Sequence, residues 1–231
     1  VLTSSSRVVR LVLAVSLDGR LAPADGGAAQ LGGKGDRRAL EEALAWADAV
    51  LIGAGTLRAH QCSCLIHNAD LLEQRRSTGR SDQPLAVVVS RSPDFSQDWL
   101  FFRQPLRRWL LSDGPDQPGF EARLEPAPTW CLTLQRLADH QLNRVVLLGG
   151  AGLTASMLQE DCIDELQLTL TPRLLGGAQC WLPVSGPDHA APSAAVPPAL
   201  QSSQGWSLDE VLPLGGDELL VRYSRRRELC N

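Results

Sequence analysis

No stretch of this sequence approaches the ~18 consecutive apolar residues that a membrane-spanning helix needs. Positive charge is not in excess either. Twenty-two Lys and Arg face 26 Asp and Glu, a net charge of −4, so the electrostatic footprint of a nucleic-acid-binding protein is missing. A leader peptide is not evident. The opening is polar at Thr3 to Ser6 and carries Arg7 and Arg10. Its apolar part, Leu11 to Val15, falls short of the ~7–15 residues of a signal core, and no A-x-A-like site precedes Asp18-Gly19. The segment reads as a first strand and points to a cytoplasmic chain with no membrane partner. Internal repeats and coiled-coil heptads are also lacking.

The six cysteines are Cys62, Cys64, Cys131, Cys162, Cys180 and Cys230. In a chain of 231 residues without a leader they read as free thiols and not as a disulfide framework. Hydrophobic residues make up 44%, enough to bury the core of one large domain.

Short apolar runs recur at Val8 to Val15, Ala49 to Ile52, Leu85 to Val89, Trp109 to Leu111 and Val145 to Leu148. Runs of this length, unbroken but for Arg10 in the first, suit strands covered on both faces. Between the first two, Leu40, Ala43, Leu44 and Ala47 keep the i, i+3/i+4 spacing, with Arg37, Arg38, Glu41 and Glu42 opposite. That pattern predicts an amphipathic helix with Asp36 as N-cap, ended by Asp48. Leu153, Met157 and Leu158 suggest a second helix to about Glu160. Ile163 to Thr171 and Glu218 to Ser224 read as late strands that look antiparallel. Glu73 to Gln83, Pro115 to Pro128 and Pro183 to Gln204 read as loops. The order implies a single α/β domain over residues 1–231, a mostly parallel central sheet with helices on both faces.

Two strand-to-glycine junctions carry the chemical signal: Ile52-Gly53-Ala54-Gly55-Thr56 and Leu148-Gly149-Gly150-Ala151-Gly152. Ligands of open α/β sheets sit beyond the carboxyl ends of the strands. Glycine there lets backbone N–H groups approach a pyrophosphate, and a following helix start favours the anion. Neither junction is a full G-x-G-x-x-G, and tight-turn glycines are the plainer reading. Ser90-Arg91-Ser92 follows another strand. Arg91 there would pair with a ribose 2′-phosphate, or simply lie in solvent. His60-x-Cys62-x-Cys64-x-x-His67 has zinc-ligand chemistry at a spacing unlike a zinc knuckle, and buried thiols explain it equally. No metal is expected. His140 and His189 look solvated, and Arg225-Arg226-Arg227 reads as a solvated edge.

Four segments in order resemble one family. They are Ala14-Val15-Ser16-Leu17-Asp18-Gly19-Arg20, Ala47 to Leu57, Val146 to Leu153, and Asp164-Glu165-Leu166 with Thr171-Pro172-Arg173-Leu174-Leu175-Gly176-Gly177. Across about residues 8 to 182 the chain is similar to the reductase domain of the bifunctional riboflavin-biosynthesis deaminase/reductases. No zinc-deaminase motif accompanies them. The resemblance implies a dihydrofolate-reductase-like fold and NADPH-dependent reduction of a phosphoribosylamino-pyrimidine, with hydride delivered to C1′ of the sugar. It implies a homodimer acting on a small molecule.

By position, the resemblance puts Val15, Thr56, Gly149, Gly150, Ala151, Gly152 and Leu153 on the cofactor and Ser16 and Asp18 at the entrance loop of the site. The strand-end readings add Gly53, Gly55, Ser90 and Arg91 as cofactor candidates; Ser16 and Leu31 are substrate candidates, Asp18 is a catalytic candidate, and His60 would replace the lost acid as a proton donor. The substrate side departs from the family. Its lysine is Val12 here, its acid is Leu148, a helix arginine is Leu44, and Ala59 to His67 replace its D-D-P-x-L-T-x-R segment. Two alternatives stay open: a dinucleotide-binding paralogue without catalysis, and a reductase of another pterin- or pyrimidine-like molecule.

Overall fold

The computed structural model describes residues 7–27, 30–182 and 196–227. His189, Cys230 and the larger part of the expected 183–204 loop lie outside them. The elements in chain order are β1 (Val8–Ser16), α1 (Lys34–Trp46), β2 (Ala49–Gly53), α2 (Ala54–His60), α3 (Ala69–Ser77) and β3 (Leu85–Val89). Then come α4 (Leu100–Arg103), β4 (Arg108–Leu111), β5 (Ala122–Leu124), α5 (Trp130–Asp139), β6 (Arg144–Leu147) and α6 (Ala151–Gln159). The last are β7 (Glu165–Thr171), α7 (Pro198–Gln201), β8 (Trp206–Gly215) and β9 (Glu218–Arg225). The described residues of 1–8 and 38–150 form one compact unit, and those of 9–37 and 151–231 form a second.

In the first unit the strands run in the order β5-β4-β3-β2-β6, every pair parallel. β2 is an interior strand flanked by β3 and β6, and all five of its residues are buried. This is why Ala49 to Ile52 is apolar without alternation. Of the predicted face, Ala43 and Leu44 are buried within α1 and Ala47 just beyond its end, Leu40 is half-buried, and Ala39 and Ala45 are buried in addition. Glu41, expected among the outward residues, is also buried. Its Oε2 accepts the backbone N–H groups of His67 and Asn68, both at 2.9 Å. A buried carboxylate is tolerated when it is hydrogen-bonded in this way.

Two expectations fail in this unit, and one helix goes unpredicted. The predicted Glu73–Gln83 loop contains most of α3, whose N-cap Asn68 accepts from the N–H groups of Asp70 and Leu71. The helix has no apolar stripe because the side chain it buries is an arginine. The expected Pro115–Pro128 irregular segment holds β5, paired with β4 at Trp109 to Leu111. Helix α5, unread in the sequence, starts at Thr129, whose side chain caps the N–H of Leu132 at 3.2 Å.

Arg75 of α3 is 1% exposed. It donates to the carbonyls of Leu44, Ala45 and Ala47 at 3.2, 3.0 and 2.7 Å, and to Ser81 O at 2.7 Å. Arg80 adds bonds to Ala45 O and Trp46 O. The last carbonyls of a helix have no partner inside it. Here two arginines supply the partners for α1 and tie its end to α3. Burial lowers the Arg75 guanidinium to about 10, which leaves it charged at neutral pH.

In the second unit β1 pairs with β7 in parallel, β7 with β9 antiparallel, and β9 with β8 antiparallel. The late strands are therefore antiparallel as expected. β8 was not read from the sequence, since its residues are mostly exposed or half-exposed and do not alternate. The β8–β9 connection is Gly216-Asp217, both at positive φ, as a two-residue hairpin requires. The arginine run is not a solvated edge. Arg225, its side chain 5% exposed, grips Asp161 at 2.9 and 3.0 Å, and Arg227 pairs with Asp164.

Helix α1 starts at Lys34, so Asp36 lies in its first turn and is not the N-cap. Its carboxyl folds back over Gly32, where an added Cβ would come within 1.9 Å of Oδ2. Burial raises the Asp36 carboxyl above its ordinary value, a Thr169 hydrogen bond opposes that, and nearby Glu218 adds to it. Glu218 is itself buried, with Oε1 accepting from Gly33 N–H at 2.6 Å.

Two outcomes follow from these contacts. Arg75→Met strands buried carbonyls and should cost about 3 kcal/mol or more, read as a lower urea midpoint at unchanged m; a loss under about 1 kcal/mol would contradict the capping role. For Asp36 the folded pKa lies above the unfolded value of about 3.9. Its contribution is therefore full below that value and fades as pH rises through the raised one. Asp36→Asn should flatten this fall in a pH series of unfolding free energies, and an unchanged slope would count against it.

Candidate functional site

Parallel pairing sets the carboxyl ends of the first unit's strands on one edge. Gly53 of β2 is opposite Val89 of β3, and Val89 is opposite Leu111 of β4. On the other side Leu51 pairs with Leu147 of β6, and Leu148 N–H donates to Leu51 O at 3.1 Å. From β2 the chain steps outward through β3, β4 and β5, then returns to place β6 on the opposite flank. The strand order thus reverses between β2 and β6. In open α/β sheets this reversal point is where the loops diverge and leave a crevice. The two glycine junctions read from the sequence belong to these two strands.

Gly149 and Gly150 hold φ of +89° and +99°, a region that side chains with a Cβ enter only at a cost. Gly55 differs. Its φ is not positive, and an added Cβ would meet nothing within 4 Å. Internal packing therefore does not demand a glycine there, whereas close approach of a ligand would. Gly53 is buried and precedes α2 with no side-chain hydrogen bond capping the helix. Thr56 lies half-buried in the first turn of α2.

After β3, Ser90 is buried and its Oγ accepts from Ser92 N–H at 3.2 Å. That turn leaves Arg91 exposed. Arg58 of α2 was missed by sequence reasoning. It donates to Ser92 O at 2.7 Å and stacks 5.2 Å above the Phe95 ring, so a second guanidinium is anchored on the Arg91 loop. No local pattern announces it, because the link spans 34 residues.

His60 is exposed on the last turn of α2, at the end of the helix away from the Gly53 junction. The substituted segment beyond it is a pinned strap. Gln104 brackets Ser63 through both of its backbone groups, at 2.8 and 2.7 Å. Gln83 does the same for Ile66 at 2.9 Å each, and Glu41 holds His67 and Asn68. Cys62 and Cys64 are half-buried thiols, neither of them in a disulfide. Among the described residues no group of three or more His, Cys, Asp or Glu side chains is placed to hold a metal. Cys131, Cys162 and Cys180 are likewise outside any disulfide. His140 is the C-cap of α5 and meets Trp109 edge-on at 5.0 Å.

In the second unit Val15 and Ser16 end β1, both almost fully buried, and Leu31 is buried too. Ser16 Oγ donates to Asp18 Oδ1 at 2.5 Å and accepts from Arg20 N–H at 2.9 Å. Ala151, Gly152 and Leu153 open α6. Gly152 is exposed, and an added Cβ there would meet nothing within 4 Å. Thr154 is 1% exposed, and its Oγ1 has no hydrogen-bond partner among the described residues. A buried orphan hydroxyl is costly unless something outside the protein answers it.

A family model, the RibD C-terminal domain, matches residues 7–208. The chain belongs to this family. It is 26% identical over 227 residues to the 2,5-diamino-6-ribosylamino-4(3H)-pyrimidinone 5′-phosphate reductase of Methanothermobacter thermautotrophicus, covering 94% of this chain and 97% of that one. It is similar to Acinetobacter baumannii RibD with a TM-score of 0.75 at 25% identity, over 96% of this chain and 59% of that chain. The fold also matches dihydrofolate reductase from Enterococcus faecalis, TM-score 0.55 at 11% identity, over 95% and 97% of the two chains. The resemblance carried by the four motifs, and the α/β fold it implied, agree with these matches. Among the described residues no helix is long and apolar enough to cross a membrane.

Proposed function

We propose that this RibD C-terminal domain is an oxidoreductase that uses NADPH to reduce a phosphoribosylamino-pyrimidine of the riboflavin route. The observation that carries the reading is the pairing of two glycine junctions on neighbouring parallel strands where the strand order reverses. Backbone N–H groups at Gly53 to Thr56 and at Gly149-Gly150 would face a pyrophosphate, the ligand class such edges hold. The open position at Gly55 fits a cofactor that approaches the backbone closely, and Gly152, likewise open, is assigned to the cofactor by its family position. Bound there, the reduced nicotinamide supplies the hydride that the sugar C1′ accepts. Val15, Ala151 and Leu153 belong to the same cofactor reading.

Arg91, with Arg58 anchored on the same loop, favours a 2′-phosphorylated ribose, since guanidinium-to-phosphate bonds are strong and bidentate. Ser16 and Leu31 remain the proposed substrate neighbours. The relatives' named substrate is a ribosylaminopyrimidine phosphate, and it is the compound to assay first. The chain works on this small molecule without nucleic acid, as its net charge of −4 supports. A homodimer is part of the reading, supported by the exposed Leu208, Val211 and Leu212 of β8. A binding-only paralogue is the second reading. The strap at 61–68 and Leu148 favour it, because no lysine, arginine or acid of the family's substrate side survives there.

Thermal unfolding with each dinucleotide tests the first reading. At 100 times its Kd, NADPH should add about 2.7 kcal/mol, a rise of roughly 5–10 °C for a chain of this size. NADH should give less, and Arg91→Ala should weaken NADPH about tenfold while leaving NADH unchanged. No rise with either at millimolar concentration would remove the cofactor site. Turnover of the pyrimidine would remove the binding-only reading.

A further inference from the structure

The turn after β1 and the loop after β7 are joined through one carboxylate. The two strands are parallel, with Ser16 opposite Thr171, so both loops leave from the same end of the pair. Asp18 Oδ1 accepts from the Ser16 hydroxyl at 2.5 Å and from Leu175 N–H at 3.1 Å. Its Oδ2 accepts from Gly176 N–H at 2.7 Å, with Arg20 Nε 3.5 Å away. Backbone bonds reinforce the join: Leu17 N–H to Arg173 O at 2.9 Å, Leu21 N–H to Gln179 O at 2.8 Å, and Trp181 N–H to Gly19 O at 3.3 Å.

Gly176 and Gly177 hold φ of +65° and +74°. An added Cβ on Gly177 would lie 2.6 Å from Ala24 Cα, so the two segments touch backbone to backbone. The three donors hold the Asp18 carboxyl well below the usual carboxylate range, the Ser16 hydroxyl first, then Gly176 and Leu175 N–H. A carboxylate kept ionised and occupied by donors is no proton source at neutral pH. Its effect must come through what it holds in place.

What it holds carries an unusual load. Leu17 and Leu174 are 62% and 77% exposed, the highest values among the exposed large apolar side chains of the described residues. Leu17 N–H donates to Arg173 O, and Leu174 is the residue after that acceptor. One exposed leucine needs no explanation. Two on a braced rim, at the carboxyl ends of parallel strands where such folds place ligands, mark a contact surface.

We propose that Asp18 is a positioning residue for the reduction: it fuses the β1 turn and the β7 loop into one lip, on which Leu17 and Leu174 form an apolar wall against the substrate's planar heterocycle. This rests on the reductase reading. It assigns Asp18 no contact with the reacting atoms. Rigid placement of the ring sets how often C1′ meets the hydride in reacting geometry, and small misplacements are costly in rate.

The experiment is steady-state kinetics on the full chain with NADPH and 2,5-diamino-6-ribosylamino-4(3H)-pyrimidinone 5′-phosphate. Wild type, Asp18→Asn and Leu174→Ala are compared, with Tm and the NADPH Kd measured for each. Leu174→Ala should raise the KM for the pyrimidine about tenfold at unchanged Tm and NADPH Kd, because only ring contact is removed. Asp18→Asn should lower kcat about tenfold or more while NADPH binding stays within about twofold. A merely structural Asp18 would move Tm and both ligands together. Wild-type KM in Leu174→Ala overturns the lip, and so does wild-type kinetics in a folded Asp18→Asn; should the latter fail to fold, Leu174→Ala decides alone. If wild type turns over and the variants match it, only the lip falls. If wild type gives no turnover, the reductase reading falls and the positioning role with it.

Discussion

Parallel pairing of β2 with β3 and with β6 is the constraint on which the candidate site depends. It brings Gly53, Ser90 and Gly149 to one edge, and the order reversal at β2 and β6 leaves their loops free to diverge. A parallel sheet of this kind needs both faces covered, so β2 and β3 are apolar throughout and β6 is apolar after Arg144, which leaves no polar side chain at their carboxyl ends to offer a ligand. The polar work falls to backbone N–H groups and to side chains just past the strand ends. Glycines at those ends expose the backbone, and their open or positive-φ geometry is what the edge contributes.

The same economy of polar groups explains the arginines. Arg75 and Arg80 close the end of α1, Arg225 and Arg227 grip Asp161 and Asp164, and Arg144 holds Asp48 at the start of β2. Each is drawn into structure by carbonyls or carboxylates. Arg91 stays exposed with no such partner among the described residues, and Arg58 gives a single hydrogen bond to them, on the Arg91 loop. Cations left at a strand-end loop are available to a phosphate.

The strands and α1 were legible because burial imposes a period on the sequence. Val8 to Val15, Ala49 to Ile52 and Val145 to Leu147 are apolar for the reason just given, and the glycines mark their ends. Elements whose logic is polar were not legible. Helix α3 buries an arginine, α5 is set by a threonine cap, β8 is half-exposed, and the strap at 61–68 is held by Glu41, Gln83 and Gln104 from distant parts of the chain. Asp18 stood out by motif, but only the structure shows that its oxygens are occupied by Ser16, Leu175 and Gly176. Arg58 left no trace in the sequence, since its partner lies on another loop.

The central claim is that the β2 and β6 junctions act together on one dinucleotide. Peptide-resolved amide hydrogen exchange, with and without saturating NADPH, tests it most directly. Slowed exchange is expected at both Gly53–Thr56 and Gly149–Gly150, with the Ser90–Ser92 loop following. Protection at neither junction, or confined to segments away from this edge, would contradict it.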